Sequence, residues 1–226
     1  MSKDKVFTPE ELKELGQQRK ELIQTSIDAG DKERAKKLTR QMHREFLSLH
    51  DIYRDWIASL LSFIGRRYGD EAVHNALQEY FDMLMQSLGK AYADQDLRRM
   101  AEMAAAGLRG HLHPFEVEED EEKFTFVLNP CGSGGRLMVE GKYGPPCNFF
   151  KIQKAQEMTF QQQDFPVYCS HCFFQNIGPT KAGNSPLPIV VPPKQMGKEP
   201  CRAYLYKDPS RCPEEYKASS KRGSSK

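Results

Sequence analysis

The sequence predicts an α+β fold: an N-terminal helical bundle followed by a small antiparallel β-sheet domain with a cysteine-rich metal site. Three observations predict it. Apolar residues recur at steps of three and four from Leu38 to Leu108, the period of amphipathic helices. From Phe115 onward the period shortens to two, and glycine and proline crowd the connections. All six cysteines lie after residue 130. Helices gathered ahead of strands, rather than alternating with them, point to an antiparallel sheet.

Thr8-Pro9-Glu10-Glu11 opens the first helix, with Thr8 as cap, Pro9 at the first position and Glu11 closing a capping box. It is expected to run to about Ala29 and stop at Gly30. It is mostly polar, which suits packing on a partner. Asp31 caps a second, long helix ending at Tyr68-Gly69. Leu38, Met42, Phe46, Leu49, Tyr53, Trp56, Ile57, Leu60, Leu61 and Ile64 mark the face expected to be buried. Asp70 starts a third helix, with Val73, Leu77, Phe81, Leu84, Met85 and Leu88 on its apolar side and Gly89 as its stop. A fourth opens at Asp94 and ends near Gly110, and its run Ala104-Ala105-Ala106 allows close approach.

Strands are expected at Phe115-Glu116-Val117-Glu118 and Lys123-Phe124-Thr125-Phe126-Val127-Leu128, with an acidic turn between them. Further candidates are Phe149 to Gln153, Pro188 to Val191, and Cys201 to Tyr206. The domain reading is 1–30 as an N-terminal, oligomerising helix, 31–110 as a helical subdomain, 111–207 as a cysteine-rich β subdomain, and 208–226 as a polar tail. Residues 217–226 are expected to be disordered.

Composition narrows the function classes. Lys and Arg number 33 against 31 Asp and Glu, a net charge of +2, so no broad basic field calls for nucleic acid or a lipid surface. The longest apolar stretch, from Trp56 to Ile64, is too short to span a bilayer. The N-terminus lacks the apolar core of a signal peptide, so a cytoplasmic location is expected. In that compartment cysteines serve as metal ligands, active-site thiols or buried thiols rather than disulfides.

Cys169-Ser170-His171-Cys172 is the sharpest motif. A C-x-x-C spacing lets two thiolates from one tight turn meet one ion at tetrahedral angles. Cys131, Cys201 and His171 are the candidates that complete a zinc or iron site; Cys147, His111 and His113 are further candidates. The competing reading is a buried or redox-active pair, although no βαβ alternation surrounds it. Asn129-Pro130-Cys131-Gly132-Ser133-Gly134-Gly135-Arg136 follows a strand. Its glycines can turn backbone N–H groups toward one point, so Gly132, Ser133, Gly134 and Gly135 are expected to bind an anionic group, with Arg136 as clamp. The plainer alternative is a flexible loop with a solvated arginine. His111-Leu112-His113 sets two imidazoles on one side of an extended segment. On the long helix His50, Tyr53 and Arg54 line a pocket or, in the plainer reading, form a flank of ion pairs. His50, Tyr53 and His113 are the expected proton-transfer residues, and Arg54 an expected substrate contact.

Gly197-Lys198-Glu199-Pro200-Cys201-Arg202-Ala203-Tyr204, with the internal cysteine pair, resembles small-molecule domains of the 4-vinyl reductase type and the L-2-amino-thiazoline-4-carboxylate hydrolase-like group. The likeness covers roughly the last 90 residues. It implies a metal- or thiol-dependent pocket for a small ligand and carries over to Cys169, Cys172 and Cys201 alone. The glycine-rich loop at Cys131 is not part of that pattern.

The expected function is a metal-dependent cytoplasmic enzyme, hydrolase- or lyase-like, acting on a small anionic or heteroatom-containing molecule. The rival is a small-molecule binding or sensing module with a structural zinc, in which the N-terminal helices form a homo-oligomer. A zinc ribbon on nucleic acid fits poorly, since it needs a second C-x-x-C knuckle.

Overall fold

A computed structural model describes residues 6–92, 95–112, 115–181 and 188–213. The chain divides into two compact units, 1–53 and 54–226.

The first unit holds helix α1 (Pro9–Gly16), helix α2 (Arg19–Asp28) and the start of α3 (Lys32–Tyr68). The Thr8 capping box forms as expected, with Thr8 Oγ1 accepting from Glu11 N and Glu11 accepting from Thr8 N. The expected single helix is broken at Gln17, whose backbone is extended. Gly16 there weakens helix continuation. Leu22, Ser26 and Leu38 are buried, and Arg19–Glu45 and Arg34–Glu14 pairs at 2.7 and 2.8 Å tie the surface.

Asp31 caps α3 by accepting from Arg34 N, and Gly69, at φ 86°, lets the chain turn straight into α4 (Asp70–Tyr92). The face of α3 that is buried differs from the expected one. Leu38 and Leu61 are buried and Ile64 packs on the core as expected, but Met42, Phe46, Leu49, Tyr53, Trp56, Ile57 and Leu60 are exposed, and Arg54, Ala58 and Ser62 are buried in their place. Small residues explain the choice. Ser62 Oγ donates to Ala58 O and accepts from Phe150 N, and a Cβ on Gly65 would stand 2.5 Å from the Phe150 ring. A seam of Ala58, Ser62 and Gly65 admits the backbone near Phe150 more closely than a leucine stripe would.

Gly89 does not stop α4, which continues to Tyr92. A helical glycine costs only about 1 kcal/mol relative to alanine, and Leu88 and Tyr92 pack against the cores beyond it. The expected start of the next helix at Asp94 lies outside the described residues. Asp96 caps α5 (Leu97–Arg109) by accepting from Arg99 N at 2.7 Å, and α5 ends at Gly110.

The second unit is α+β, as the sequence indicates. Strands β1 (Glu116–Glu119), β2 (Lys123–Leu128), β5 (Ile189–Val191) and β6 (Cys201–Tyr206) form one antiparallel sheet in the order β1-β2-β6-β5. Phe126, Leu128, Val190, Ala203 and Leu205 meet Met100 and Ala104 of α5. Helix α6 (Gly134–Val139) starts inside the stretch expected to be a loop. Strands β3 (Lys151–Ile152) and β4 (Phe165–Pro166) form a separate two-stranded ladder, and α7 (His171–Lys181) follows a 3-10 turn at Val167–Ser170. A second core joins Leu61, Val73, Leu77 and Phe81 to Ile152, Met158, Val167 and Phe174. A third joins Ala58, Leu137 and Tyr168. Among the described residues no helix is long and apolar enough to cross a membrane. The tail expected to be disordered lies outside the described residues.

Candidate metal centre

Four cysteines arrive from three segments of the second unit. Cys131 follows β2, after a cis Asn129-Pro130 bond. Cys201 begins β6 opposite Leu128 of β2, so sheet register brings it beside the end of that strand. Cys169 sits in the 3-10 turn, and Cys172 lies in the first turn of α7. The C-x-x-C motif therefore opens a helix. Cys131, Cys172 and Cys201 all border the core between α5 and the sheet. Gly134 closes the group from the other side: a Cβ there would collide with Cys169 Sγ, and one on Gly135 would stand 3.2 Å from Cys131 Cβ. Those two glycines let α6 start against the sulfurs.

The four thiols are electrostatically coupled. The Cys201 S–H donates to Cys131 and holds it well below the ordinary thiol value. Backbone N–H groups of Gly135 and Ser133 and the charge of His111 add to this and outweigh burial. Cys201 is pushed up by the same hydrogen bond and by burial. Cys169 is pushed up by burial and by the neighbouring Cys172 and Cys131, and Cys172 by burial and by Cys131. Cys169 and Cys201 are buried, while Cys131 and Cys172 are half-buried.

Neighbouring groups are fixed in turn. His171 Nδ1 stands 2.6 Å from Tyr168 O, and a carbonyl only accepts, so Nδ1 carries the proton. Nε2 is then an acceptor, 3.5 Å from Cys172 Sγ. Burial lowers the His171 pKa and keeps the ring neutral. Burial pushes the Tyr168 phenol up to about 12. His111 Nδ1 lies 2.6 Å from Ser133 Oγ. The hydroxyl of Ser170, inside the C-x-x-C turn, is fully buried and has no hydrogen-bond partner among the described residues.

As the side chains stand, no three His, Cys, Asp or Glu residues among the described ones form a ready ligand set. Cys131 and Cys201 bond to each other instead. The donor chemistry nonetheless suits a soft ion: four sulfurs, with the Cys131 thiol held below its ordinary value.

The other expected site residues fall as follows. The amides of Ser133 and Gly135 point at the Cys131 sulfur. The Arg136 guanidinium bonds Gly132 O at 3.4 Å and Glu140 at 3.1 Å. Arg54, 3% exposed, forks onto both Glu140 and Asp55, so the expected substrate contact is a buried ion-pair centre. His50 pairs with Asp51 at 3.0 Å in the first unit, where Tyr53 is exposed. His113 lies outside the described residues. The segment before it is a turn rather than extended, with Leu112 at φ 54°. His111 reaches the centre through Ser133 Oγ. Tyr168 and the orphan Ser170 were missed by sequence reasoning, and only their place beside the cysteine pair signalled them.

No family model matches the chain, and neither the curated proteins nor the solved structures contain a match.

Proposed function

We propose that Cys131, Cys169, Cys172 and Cys201 hold one zinc or iron ion, and that the protein is a thiolate-ligated metal enzyme of hydrolase or lyase type. Its substrate is a small anionic or heteroatom-containing molecule. The observation that supports the reading is the convergence of four cysteines from three segments, with Gly134 against Cys169 Sγ and Gly135 against Cys131 Cβ. Rotation about χ1 at Cys131 and Cys201, between staggered wells, exchanges their mutual hydrogen bond for a shared ion. In the enzyme reading three of the four cysteines would hold the ion and the fourth position would stay open, so that the ion would supply Lewis-acid chemistry to a substrate oxygen or sulfur.

The chain's own groups have separate tasks. The Cys201 thiol, with the Gly135 and Ser133 amides, holds the Cys131 thiol below its ordinary value, which favours ligation over protonation. His111, against Ser133, is the proton carrier beside the centre. Neutral His171 stands in reserve as a nitrogen donor next to Cys172, which would give a Cys₃His set. The resemblance of the closing Gly-x-x-Pro-Cys-Arg strand to small-molecule domains agrees with this assignment.

The second reading, a binding or sensing module with a closed structural zinc, is favoured by the burial of Cys169 and Cys201. Elemental analysis of anaerobically purified protein tests the common claim. The expected result is about one zinc or iron per chain, falling below a tenth in Cys169→Ser/Cys172→Ser, since a structural site needs four ligands. Unchanged metal content in that variant would end both readings. Cobalt substitution separates them: a small thiol added to the protein shifts the visible spectrum when a coordination position is open, and leaves it unchanged when the shell is closed.

A further inference from the structure

The four thiols do not meet as equals. The Cys201 S–H donates to the Cys131 sulfur, a contact between segments far apart in the chain. Sheet register makes that contact. Cys201 begins β6 opposite Leu128, the last residue of β2, and Cys131 follows just beyond it. Both side chains border the core between α5 and the sheet. Gly135 holds Cys131 from the other side, since a Cβ there would stand 3.2 Å from Cys131 Cβ, and Arg136 N donates to Cys131 O at 3.0 Å. The pair that is adjacent in sequence is placed differently. Cys169 Sγ lies against Gly134, and Cys172 Sγ lies 3.5 Å from His171 Nε2. Cys169 is buried, while Cys131 is half-buried and open to a small solute.

We propose that Cys131 and Cys201 are a site of reversible oxidation, closed to a disulfide by a small hydroperoxide in preference to the C-x-x-C pair. Cys131, as thiolate, attacks one peroxide oxygen. The O–O bond breaks, hydroxide leaves with the electron pair and takes up a proton, and Cys131 becomes a sulfenic acid. The Cys201 sulfur then attacks the Cys131 sulfur. The S–S bond forms, the S–O bond breaks, and the departing hydroxide leaves as water with the Cys201 proton. Each sulfur gives up one electron, and hydrogen peroxide is reduced to two waters. The hydrogen bond already sets the attacking sulfur beside the one attacked. The disulfide also takes two of four sulfurs away from a bound ion; that consequence, unlike the disulfide itself, rests on the metal site proposed above.

Disulfide mapping tests the pairing. The full-length protein as purified is kept reduced, treated with a small excess of hydrogen peroxide in the presence of a chromophoric metal chelator, alkylated and digested with trypsin. Trypsin places Cys131 in residues 124–136, Cys201 in 199–202, and Cys169 together with Cys172 in 155–181. The expected major product is a crosslink between the first two peptides, lost on adding a thiol reductant, with both cysteines of the third alkylated. In the urea-unfolded chain the expected bond lies within 155–181 instead, because loop closure favours the cysteines nearest in sequence. Cys201→Ser is expected to lose the crosslink and to leave Cys131 as a sulfenic acid that dimedone captures, whereas Cys169→Ser keeps the crosslink. A folded protein that forms its bond within 155–181, or whose Cys131 and Cys201 both stay alkylatable, overturns the proposal. A crosslink that releases an ion to the chelator supports it together with the metal site. A crosslink in protein that holds neither zinc nor iron supports it and removes the metal reading alone.

Discussion

Arg54→Ala is expected to lower the free energy of unfolding by about 3 kcal/mol, at the low end of the cost of breaking a buried ion pair. Arg54 is the most buried charge of a five-member network. Its guanidinium donates to Glu140 at 3.1 and 2.6 Å and to Asp55 at 3.0 and 2.9 Å. Lys142 also reaches Asp55 at 2.8 Å, and Arg136 reaches Glu140 at 3.1 Å. Burial works against the Arg54 charge, but the bonds to Glu140 and Asp55 outweigh it and raise the pKa further. Truncation leaves two carboxylates with one cation each. Both remain about a third exposed, at 31% and 32%, so water recovers part of the loss. The network joins α3 to the end of α6, the helix that begins against the sulfurs. Arg54→Lys keeps the charge but not the two forks, and is expected to cost about half as much. Urea titration of the three proteins gives the comparison; a loss under about 1 kcal/mol in the alanine variant would show that the network is ornamental.

Asn176→Ala is expected to cost about 2 to 4 kcal/mol, since it strands two buried backbone groups. Asn176 Nδ2 donates to Val190 O at 2.7 Å, and Val190 N donates to Asn176 Oδ1 at 2.8 Å. Strand β5 pairs with β6 on one side only. The carboxamide therefore takes the place of a further strand at Val190, and it ties α7, which carries Cys172, to the sheet that carries Cys201. The Asp variant retains the acceptor but sets a carboxylate against the Val190 carbonyl, so it is expected to be no better than alanine. Hydrogen exchange at the Val190 amide reads the loss directly. Protection there that matches the wild-type protein would contradict the assignment.

Local chemistry was legible in the sequence, and long-range choice was not. The caps at Thr8 and Asp31 and the bounds of β2 and β6 follow from short-range hydrogen bonding and period-two burial. Which face of α3 turns inward does not. Counting large apolar residues selects Phe46, Trp56 and Leu60, yet the core takes Ala58, Ser62 and Gly65, because close approach to Phe150 depends on small residues. Arg54 looked like a ligand contact because its partner Glu140 is 86 residues away, a pairing no local spacing reveals.

The candidate centre was more legible than the groups around it. Cys131, Cys169, Cys172 and Cys201 were named from residue type and from the strand ends that carry them. The start of α6 within the glycine-rich segment was not foreseen, since glycines read as loop formers; here they are small so that a helix can touch the sulfurs. The role of His111 rests on the tertiary contact with Ser133, 22 residues on.

X-ray absorption at the metal edge of the protein as purified tests the central claim most directly. The four-cysteine assignment predicts a first shell dominated by sulfur, at about 2.3 Å if the ion is zinc, and reduced by two sulfurs in a residual Cys169→Ser/Cys172→Ser complex. A first shell of nitrogen and oxygen alone, or a folded protein that takes up neither zinc nor iron, would contradict it.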